Sequence, residues 1–227
     1  MLKKLRQDVE RYVPDLCELN QYIYDNPELG YEEHLSSKAH IELLEKYGFA
    51  VERSPLGLDT AYIARFKGEK PGRTIAYLAE YDALPGIGHG CGHNLLGTTA
   101  LGASLLLKEY VEEHGGEVVL YGTPAEETSG AKVAFAEQGS LEGVDVAICP
   151  HPADDYYSSG KSMVLVPISF TFTGKTAHAA SDPHKGVNAL DALLLTFNNI
   201  NALREHILPD ARIHGIVKEG GLAANVV

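Results

Sequence analysis

Short apolar segments alternate with helix-like sequence along most of the chain, and this alternation restricts the folds that are available to it. The segments 74–79, 118–122 and 144–149 have the length and composition of buried strands. The stretches at about 95–114 and 131–138 have the apolar spacing of helices. Strands that alternate with helices are joined by right-handed crossovers and lie parallel. The pattern therefore predicts an α/β fold, with a mainly parallel sheet flanked by helices.

The C-terminal part of the sequence has a different character. Residues 163–173 alternate apolar and polar side chains, which is typical of a strand with one face in water. A helical segment at 187–206 and a further strand near 212–217 follow it. We therefore expect two domains: an α/β domain over 1–161 and the first part of a smaller α+β domain over 162–227.

The composition disfavours several classes of protein. The chain has 31 acidic residues against 19 Lys plus Arg and no basic cluster, so its formal charge of −12 argues against nucleic acid and anionic membranes as partners. No apolar run approaches the ~18 residues of a membrane-spanning helix. The basic N-terminus lacks the apolar segment of a signal peptide. The 3 cysteines are too few for a disulfide framework, so we expect free thiols in a soluble, cytoplasmic protein.

The loops that follow the predicted strands contain side chains of the types that bind metals. These side chains are Cys91, His93, Glu126, Glu127 and His151. Because the carboxyl ends of parallel strands meet at one edge of the sheet, we expect them to lie close together. Thiolate, imidazole and carboxylate are the ligands of zinc and of similar divalent ions. The sequence therefore predicts a metal site at this edge, with the N-terminus of the next helix favouring a thiolate at Cys91.

The adjacent acids Glu126 and Glu127 suggest a division of labour. One carboxylate can bind the metal, while the other takes a proton from water whose pKa the ion has lowered to about 7. Two other interpretations of Cys91 and His93 stay open, an unligated glycine turn and a nucleophilic dyad. The dyad is disfavoured, because residues two positions apart beside glycine rarely align a sulfur with an imidazole nitrogen.

Several motifs resemble those of the M20 family of metallopeptidases and amidohydrolases. They are 80–85 (EYDALP), 88–94 (GHGCGHN), 124–127 (PAEE) and 174–179 (GKTAHA). The segment 26–33 (NPELGYEE) also resembles the N-terminal motif of one branch of the family. That branch contains aminoacylases, auxin-conjugate hydrolases, aminobenzoyl-glutamate hydrolases and β-alanyl-lysine dipeptidases.

The resemblance implies hydrolysis of the amide or peptide bond of a small N-acyl amino acid or dipeptide. It implies a centre of two divalent ions, which are zinc, manganese or cobalt. The metal ligands that it implies are Cys91, His93, Glu127 and His151, and the general base is Glu126. His89 is expected to lie just outside the ligands and to orient one of them.

The resemblance also implies that the smaller domain is a lid that mediates formation of a homodimer. In such enzymes the histidine that matches His178 reaches the partner subunit's active site, and the asparagine that matches Asn225 contacts substrate. Family members extend far beyond residue 227 and have a final histidine ligand there, so we expect a fragment or a truncated product. Such a chain is expected to be weakly active, low in metal and prone to self-association. Two alternatives are a non-catalytic remnant that binds metal and a mononuclear zinc aminopeptidase.

Overall fold

The computed structural model describes residues 7–156 and 163–226. The chain divides into two compact units, Met1–Ser158 and Ser159–Val227. The domain boundary predicted between residues 161 and 162 lies outside the described residues. The roles assigned to the two predicted domains stay predictions.

The first unit is a five-stranded sheet with flanking helices. Its strands are β1 (Ala50–Arg53), β2 (Tyr62–Lys67), β3 (Thr74–Ala79), β4 (Glu117–Gly122) and β5 (Val146–Ile148). Its helices are α1 (Val13–Asp25), α2 (His34–Lys46), α3 (His93–His114) and α4 (Ala131–Glu137), and a 3-10 turn lies at Pro55–Gly57. No helix in the described parts of the chain is long and apolar enough to cross a membrane.

The sheet has the strand order β1-β2-β4-β3-β5. Strand β3 runs parallel to both β4 and β5, and these are the strands that the alternating sequence pattern predicts. Strand β2 is antiparallel to both β1 and β4. The connection between β1 and β2 is too short for a crossover helix, so these two strands pair as a hairpin. The predicted α/β fold is confirmed, and its sheet is mixed.

Side-chain alternation along the central strands separates two apolar cores. Leu120 of β4 faces the layer formed by α1, α2 and α3, where it joins a cluster that includes Leu105. The next residue of β4, Tyr121, faces the other side and lies edge-to-face with Phe135 of α4, with ring centroids 5.6 Å apart. Burial of each such side chain stabilises the fold by about 1.5–3 kcal/mol. Helices therefore pack on both faces of the sheet and fix the strands whose ends carry the loops.

Helix α3 begins at His93, two residues earlier than the sequence pattern predicts. The residue before it, Gly92, has a φ of 83°, in the left-handed region that glycine adopts at little cost. A Cβ atom at this position would lie 3.1 Å from Cγ of Pro152. The glycine therefore allows the loop after β5 to approach closely, and it places His93 on the first turn of a rigid helix.

The second unit is built around helix α5 (Ala189–Leu203), with 3-10 turns at Pro183–Lys185 and Arg204–His206. Asn188 caps α5, because its Oδ1 accepts hydrogen bonds from the backbone N–H groups of Leu190 and Asp191 at 2.9 and 3.3 Å. The predicted helix is therefore present, slightly shorter than the periodicity indicates.

The strands predicted at 163–173 and 212–217 do not form. Among residues 163–226, the pairing between backbone segments is limited to two isolated bridges, Lys175 with Val187 and His178 with Val226. Alternating side chains favour a strand only where a neighbouring strand accepts its backbone hydrogen bonds. No segment in this part of the described chain pairs with either predicted strand, and Val164 is 92% exposed.

Candidate metal centre

Three loops come together at the edge of the sheet where β3, β4 and β5 end. The loop after β3 and the start of α3 carry Cys91 and His93, the loop after β4 carries Glu126 and Glu127, and the loop after β5 carries His151. Contacts between their side chains connect these loops. The Sγ atom of Cys91 lies 3.6 Å from Nε2 of His151, and Nε2 of His93 lies 3.8 Å from Oε2 of Glu126.

His93 lies at the middle of the centre and is fully buried. Its Nδ1 lies 2.9 Å from Oδ1 of Asp82 and 3.1 Å from the backbone oxygen of the same residue. A carboxylate at Nδ1 fixes the orientation of an imidazole and directs its Nε2 away from that carboxylate, as in many histidines that bind metals. Here Nε2 is directed towards Glu80, whose Oε2 lies 3.0 Å away, and towards Glu126.

Two groups of side chains have the spacing of metal ligands. In the first group, the donor atoms of Cys91, His93 and His151 all lie within 4.8 Å of one another. In the second group, the same spacing joins Glu80, His93 and Glu126. Sulfur, imidazole and carboxylate donors suit zinc and neighbouring first-row ions. His93 belongs to both groups, so the two candidate positions adjoin.

Glu127, a predicted ligand, lies outside both groups of described residues. Its backbone N–H donates to Oδ2 of Asp82 at 2.9 Å, and its side chain forms a hydrogen bond with Cys91. The structure thus places Glu127 beside the first group, next to the thiol. Whether its carboxylate binds an ion stays a prediction.

Two buried atoms of the centre support a metal-binding role. Nε2 of His93 and Oε2 of Glu80 lie 3.0 Å apart, and apart from this contact with each other neither has a hydrogen-bond partner among the described residues. A buried polar atom without a partner is destabilising, and native structures rarely retain one without a reason. A divalent ion accepts electron pairs from both atoms, so these residues fit a metal.

The charges around Glu80 and His93 compensate one another. Burial acts to raise the pKa of Glu80, but the neighbouring His93 and the ion pair with Lys132 lower this pKa to about 2. Burial acts against a charged His93, but the carboxylates of Asp82 and Glu80 raise its pKa to about 10. At neutral pH without metal, His93 is therefore a cation held between anions.

The pKa of the Cys91 thiol is raised, whereas the sequence predicts that it is lowered. Burial and the neighbouring carboxylates of Glu127 and Glu126 raise the pKa of its thiol to about 11. These effects outweigh the N-terminus of α3, which the sequence predicts to favour a thiolate. The thiol is protonated at neutral pH, and a bound cation is required to convert it to a thiolate.

Metal binding at pH 7 is therefore expected to release about two protons per ion, because Cys91 and His93 both lose a proton on coordination. The affinity should rise with pH by up to about 100-fold per unit below the pKa of His93. Calorimetry in buffers of different ionisation enthalpy measures the number of released protons. Cys91→Ala should release about one proton fewer, and a binding heat that is independent of the buffer would contradict the prediction.

Sequence reasoning did not assign roles to Glu80, Asp82 and Lys132. The first two lie in the motif after β3, and their position directly behind a buried strand is the signal that could have identified them. Lys132 lies on α4, where a single lysine on a short helix gives no such signal. His89, expected to orient a ligand, instead has Nε2 3.0 Å from the carbonyl oxygen of Ile23.

The residues predicted to contact substrate, His178 and Asn225, lie together in the second unit. The N–H of Ala179 donates to the carbonyl of Asn225 at 3.2 Å, and His178 forms a bridge with Val226. His178, Asn225 and Val226 line a surface depression of about 340 Å³. The two predicted substrate contacts thus share one surface of this unit.

Comparison with known sequences identifies several related enzymes, although no family model matches the chain. The chain is 37% identical to a p-aminobenzoyl-glutamate hydrolase polypeptide of Escherichia coli, over 97% of this chain and 52% of that protein. It is 34% identical to the Xaa-Arg dipeptidase of Mus musculus, over 99% of this chain and 55% of that protein. It is 31% identical to N-acetyl-L-cysteine deacetylase of Bacillus subtilis, over 88% of this chain and 54% of that protein. The chain thus spans about half the length of these relatives.

Comparison with solved structures gives a consistent result. A dinuclear metal-binding peptidase of the M20 family from Bacillus subtilis is 30% identical, with a TM-score of 0.51, over 59% of this chain and 42% of that chain. The match with a structure from methicillin-resistant Staphylococcus aureus has a TM-score of 0.69 and 23% identity. It covers 100% of this chain and 64% of that chain. The second comparison shows the shared fold.

Proposed function

Because the chain belongs to the M20 family of metallopeptidases and amidohydrolases, we propose that the protein is a metal-dependent hydrolase. Its substrate is a small N-acyl amino acid or dipeptide, and it cleaves the amide or peptide bond. One observation carries the proposal: the donor atoms of Cys91, His93 and His151 lie within 4.8 Å of one another, and Glu126 lies next to them. This arrangement joins ligands and a proton acceptor in one place.

In this proposal the ligands are Cys91, His93, Glu127 and His151, with two ions of zinc, manganese or cobalt. The dinuclear centre of the related Bacillus subtilis peptidase supports the number of ions. A divalent metal supplies Lewis-acid activation of water and of the scissile carbonyl group. Asp82 holds His93 by Nδ1, so that Nε2 stays directed into the centre.

Glu126 is the proposed general base. Its side chain is 39% exposed, whereas Glu80, which also faces Nε2 of His93, is only 2% exposed and is paired with Lys132. Water and substrate can therefore reach Glu126 but not Glu80. Glu126 accepts a proton from the attacking water at its carboxylate and then donates it to the nitrogen of the leaving amine.

The second unit is the proposed lid and dimerisation domain, in which His178 and Asn225 contact the substrate. Their joint position on one surface supports this assignment. We place the protein in the cytoplasm, since its 3 cysteines are free thiols, as expected in a reducing compartment. The acidic charge of −12 supports a small substrate and not nucleic acid.

A hydrolysis screen tests the proposal. The panel contains p-aminobenzoyl-glutamate, dipeptides with a C-terminal arginine and N-acetyl amino acids, which are the substrates that the names of the relatives suggest. We expect release of the free amine from at least one of them, loss of this activity with a chelator, and recovery with zinc, manganese or cobalt.

The metal content measured in the same samples separates the alternatives. Two ions per chain with turnover support the proposal. One ion per chain with turnover, unchanged when excess metal is added, would indicate a mononuclear aminopeptidase. Bound metal without turnover on any member of the panel would contradict the proposed hydrolase and indicate a non-catalytic remnant.

A further inference from the structure

We propose that Glu33 is a positioning residue that holds the loop carrying Glu126 in its catalytic conformation, an inference that rests on the proposed role of Glu126. Glu33 immediately precedes helix α2 and is fully buried. Its Oε1 accepts a hydrogen bond from the backbone N–H of Ala125 at 2.8 Å, and its Oε2 accepts one from the hydroxyl of Thr60 at 2.8 Å. The carboxylate therefore links the N-terminal part of the chain to the residue before Glu126.

The backbone of Ala125 requires such a restraint. Its φ is 62°, in the left-handed region that residues other than glycine adopt only at a cost in free energy. A conformation of this kind persists only where surrounding contacts enforce it, and it is often found at functional sites. Relaxation of Ala125 would rotate the peptide that leads into Glu126 and would move its carboxylate away from His93.

The loop after β4 is anchored at every second residue. The N–H of Thr123 donates to the carbonyl of Ala79 at 2.8 Å, that of Ala125 to Glu33, and that of Glu127 to Asp82 at 2.9 Å. The first anchor belongs to the sheet and the third to the centre itself. Glu33 provides the middle anchor, directly beside Glu126.

Glu33 does not cap helix α2, although capping is the usual role of an acidic residue at this position. An acid before a helix usually caps it, yet the side chain of Glu33 makes no capping hydrogen bond with α2. Glu28 performs the capping instead, because its carboxylate accepts from the N–H groups of Leu35 and Ser36 at 2.9 and 2.8 Å. The carboxylate of Glu33 is therefore free to bind the loop.

Close packing of the same N-terminal segment supports this interpretation. A Cβ atom at Gly30 would lie 3.0 Å from both Cα and Cβ of Ala125, so the segment 26–33 lies directly against the loop. Thr60 is itself fixed, since its carbonyl accepts a hydrogen bond from the hydroxyl of Tyr81 at 2.6 Å. Glu33 thus connects the loop to a rigid part of the core.

Three variants test the proposal through activity. Glu33→Ala should lower kcat by roughly 10–100-fold with little change in KM or metal content, as expected when a supporting residue is lost. Glu33→Gln retains an acceptor for the N–H of Ala125 and should keep most of kcat. Adding Ala125→Gly to Glu33→Ala should recover part of the lost kcat, because glycine adopts the left-handed region without strain. The neighbouring exposed residue provides the control, Glu32→Ala, which should behave as wild type.

Amide hydrogen exchange, followed by NMR on the 227-residue chain, tests the same contact without activity. Glu33→Ala should accelerate exchange at Ala125 and leave Val119 in β4 protected. Unchanged exchange at Ala125, a wild-type kcat in Glu33→Ala, or an equal loss in Glu33→Gln without recovery by Ala125→Gly would each overturn the proposal. If the wild-type protein hydrolyses no substrate, the proposed function fails, and the exchange measurement still decides the role of Glu33.

Discussion

Glu126→Gln should lower kcat by roughly 10²–10⁴-fold while the metal content stays unchanged. The amide that replaces the carboxylate has nearly the same shape but cannot accept the proton of the attacking water. The residue lies 3.8 Å from Nε2 of His93 and is partly exposed, so the substitution leaves no buried group without a partner. Steady-state kinetics on the best substrate of the panel, together with elemental analysis, measures both quantities.

The matched comparisons for this experiment are two other Glu→Gln substitutions. Glu127→Gln should lose metal as well as activity if its carboxylate is a ligand. Glu113→Gln removes a charge from another adjacent acidic pair, where the side chain is 70% exposed, and should have no effect. A Glu126→Gln protein with near-normal kcat would refute the proposed mechanism, and one that loses its metal would identify Glu126 as a ligand.

Cys91→Ala and His151→Ala are each expected to weaken metal binding strongly. Loss of a residue that only orients a ligand typically lowers metal affinity by about 10–100-fold, and loss of a ligand should lower it further. Their donor atoms lie 3.6 Å apart and form one group with His93, so either substitution removes one of the three donors of that group. Titration with zinc or cobalt gives the affinity, and the sulfur-to-cobalt absorption band should disappear in Cys91→Ala alone.

Two substitutions of the same residue types serve as controls. Cys17→Ala removes an exposed thiol on α1, and His114→Ala removes a histidine at the far end of α3. Both should bind metal as the wild type does. If Cys91→Ala and His151→Ala also retain the wild-type stoichiometry, the assignment of the centre is wrong.

The position of the candidate centre can be predicted from the sequence because it depends on topology. Short apolar strands that alternate with helices predict a parallel sheet, and the carboxyl ends of parallel strands share an edge. Cys91, Glu126 and His151 are therefore expected to be neighbours without any knowledge of side-chain geometry. The number of residues between them in the sequence does not indicate that they are close in space.

Other features depend on contacts that no local pattern encodes. The pKa of Cys91 follows from burial and from Glu127, and these outweigh the helix N-terminus that the sequence suggests. The alternating residues 163–173 satisfy the pattern of a strand but lack a paired neighbour among the described residues. Such features depend on which segments meet in space, and composition and periodicity do not determine that.

The hydrogen bond between Glu33 and Ala125 joins residues 92 positions apart. During synthesis the N-terminal segment leaves the ribosome long before the loop after β4, so this bond forms only after most of the sheet has been translated. Contacts of such long range also slow folding, since the intervening chain must be ordered first. Glu126, the proposed general base, is therefore set in place late, after the sheet that carries its loop has assembled.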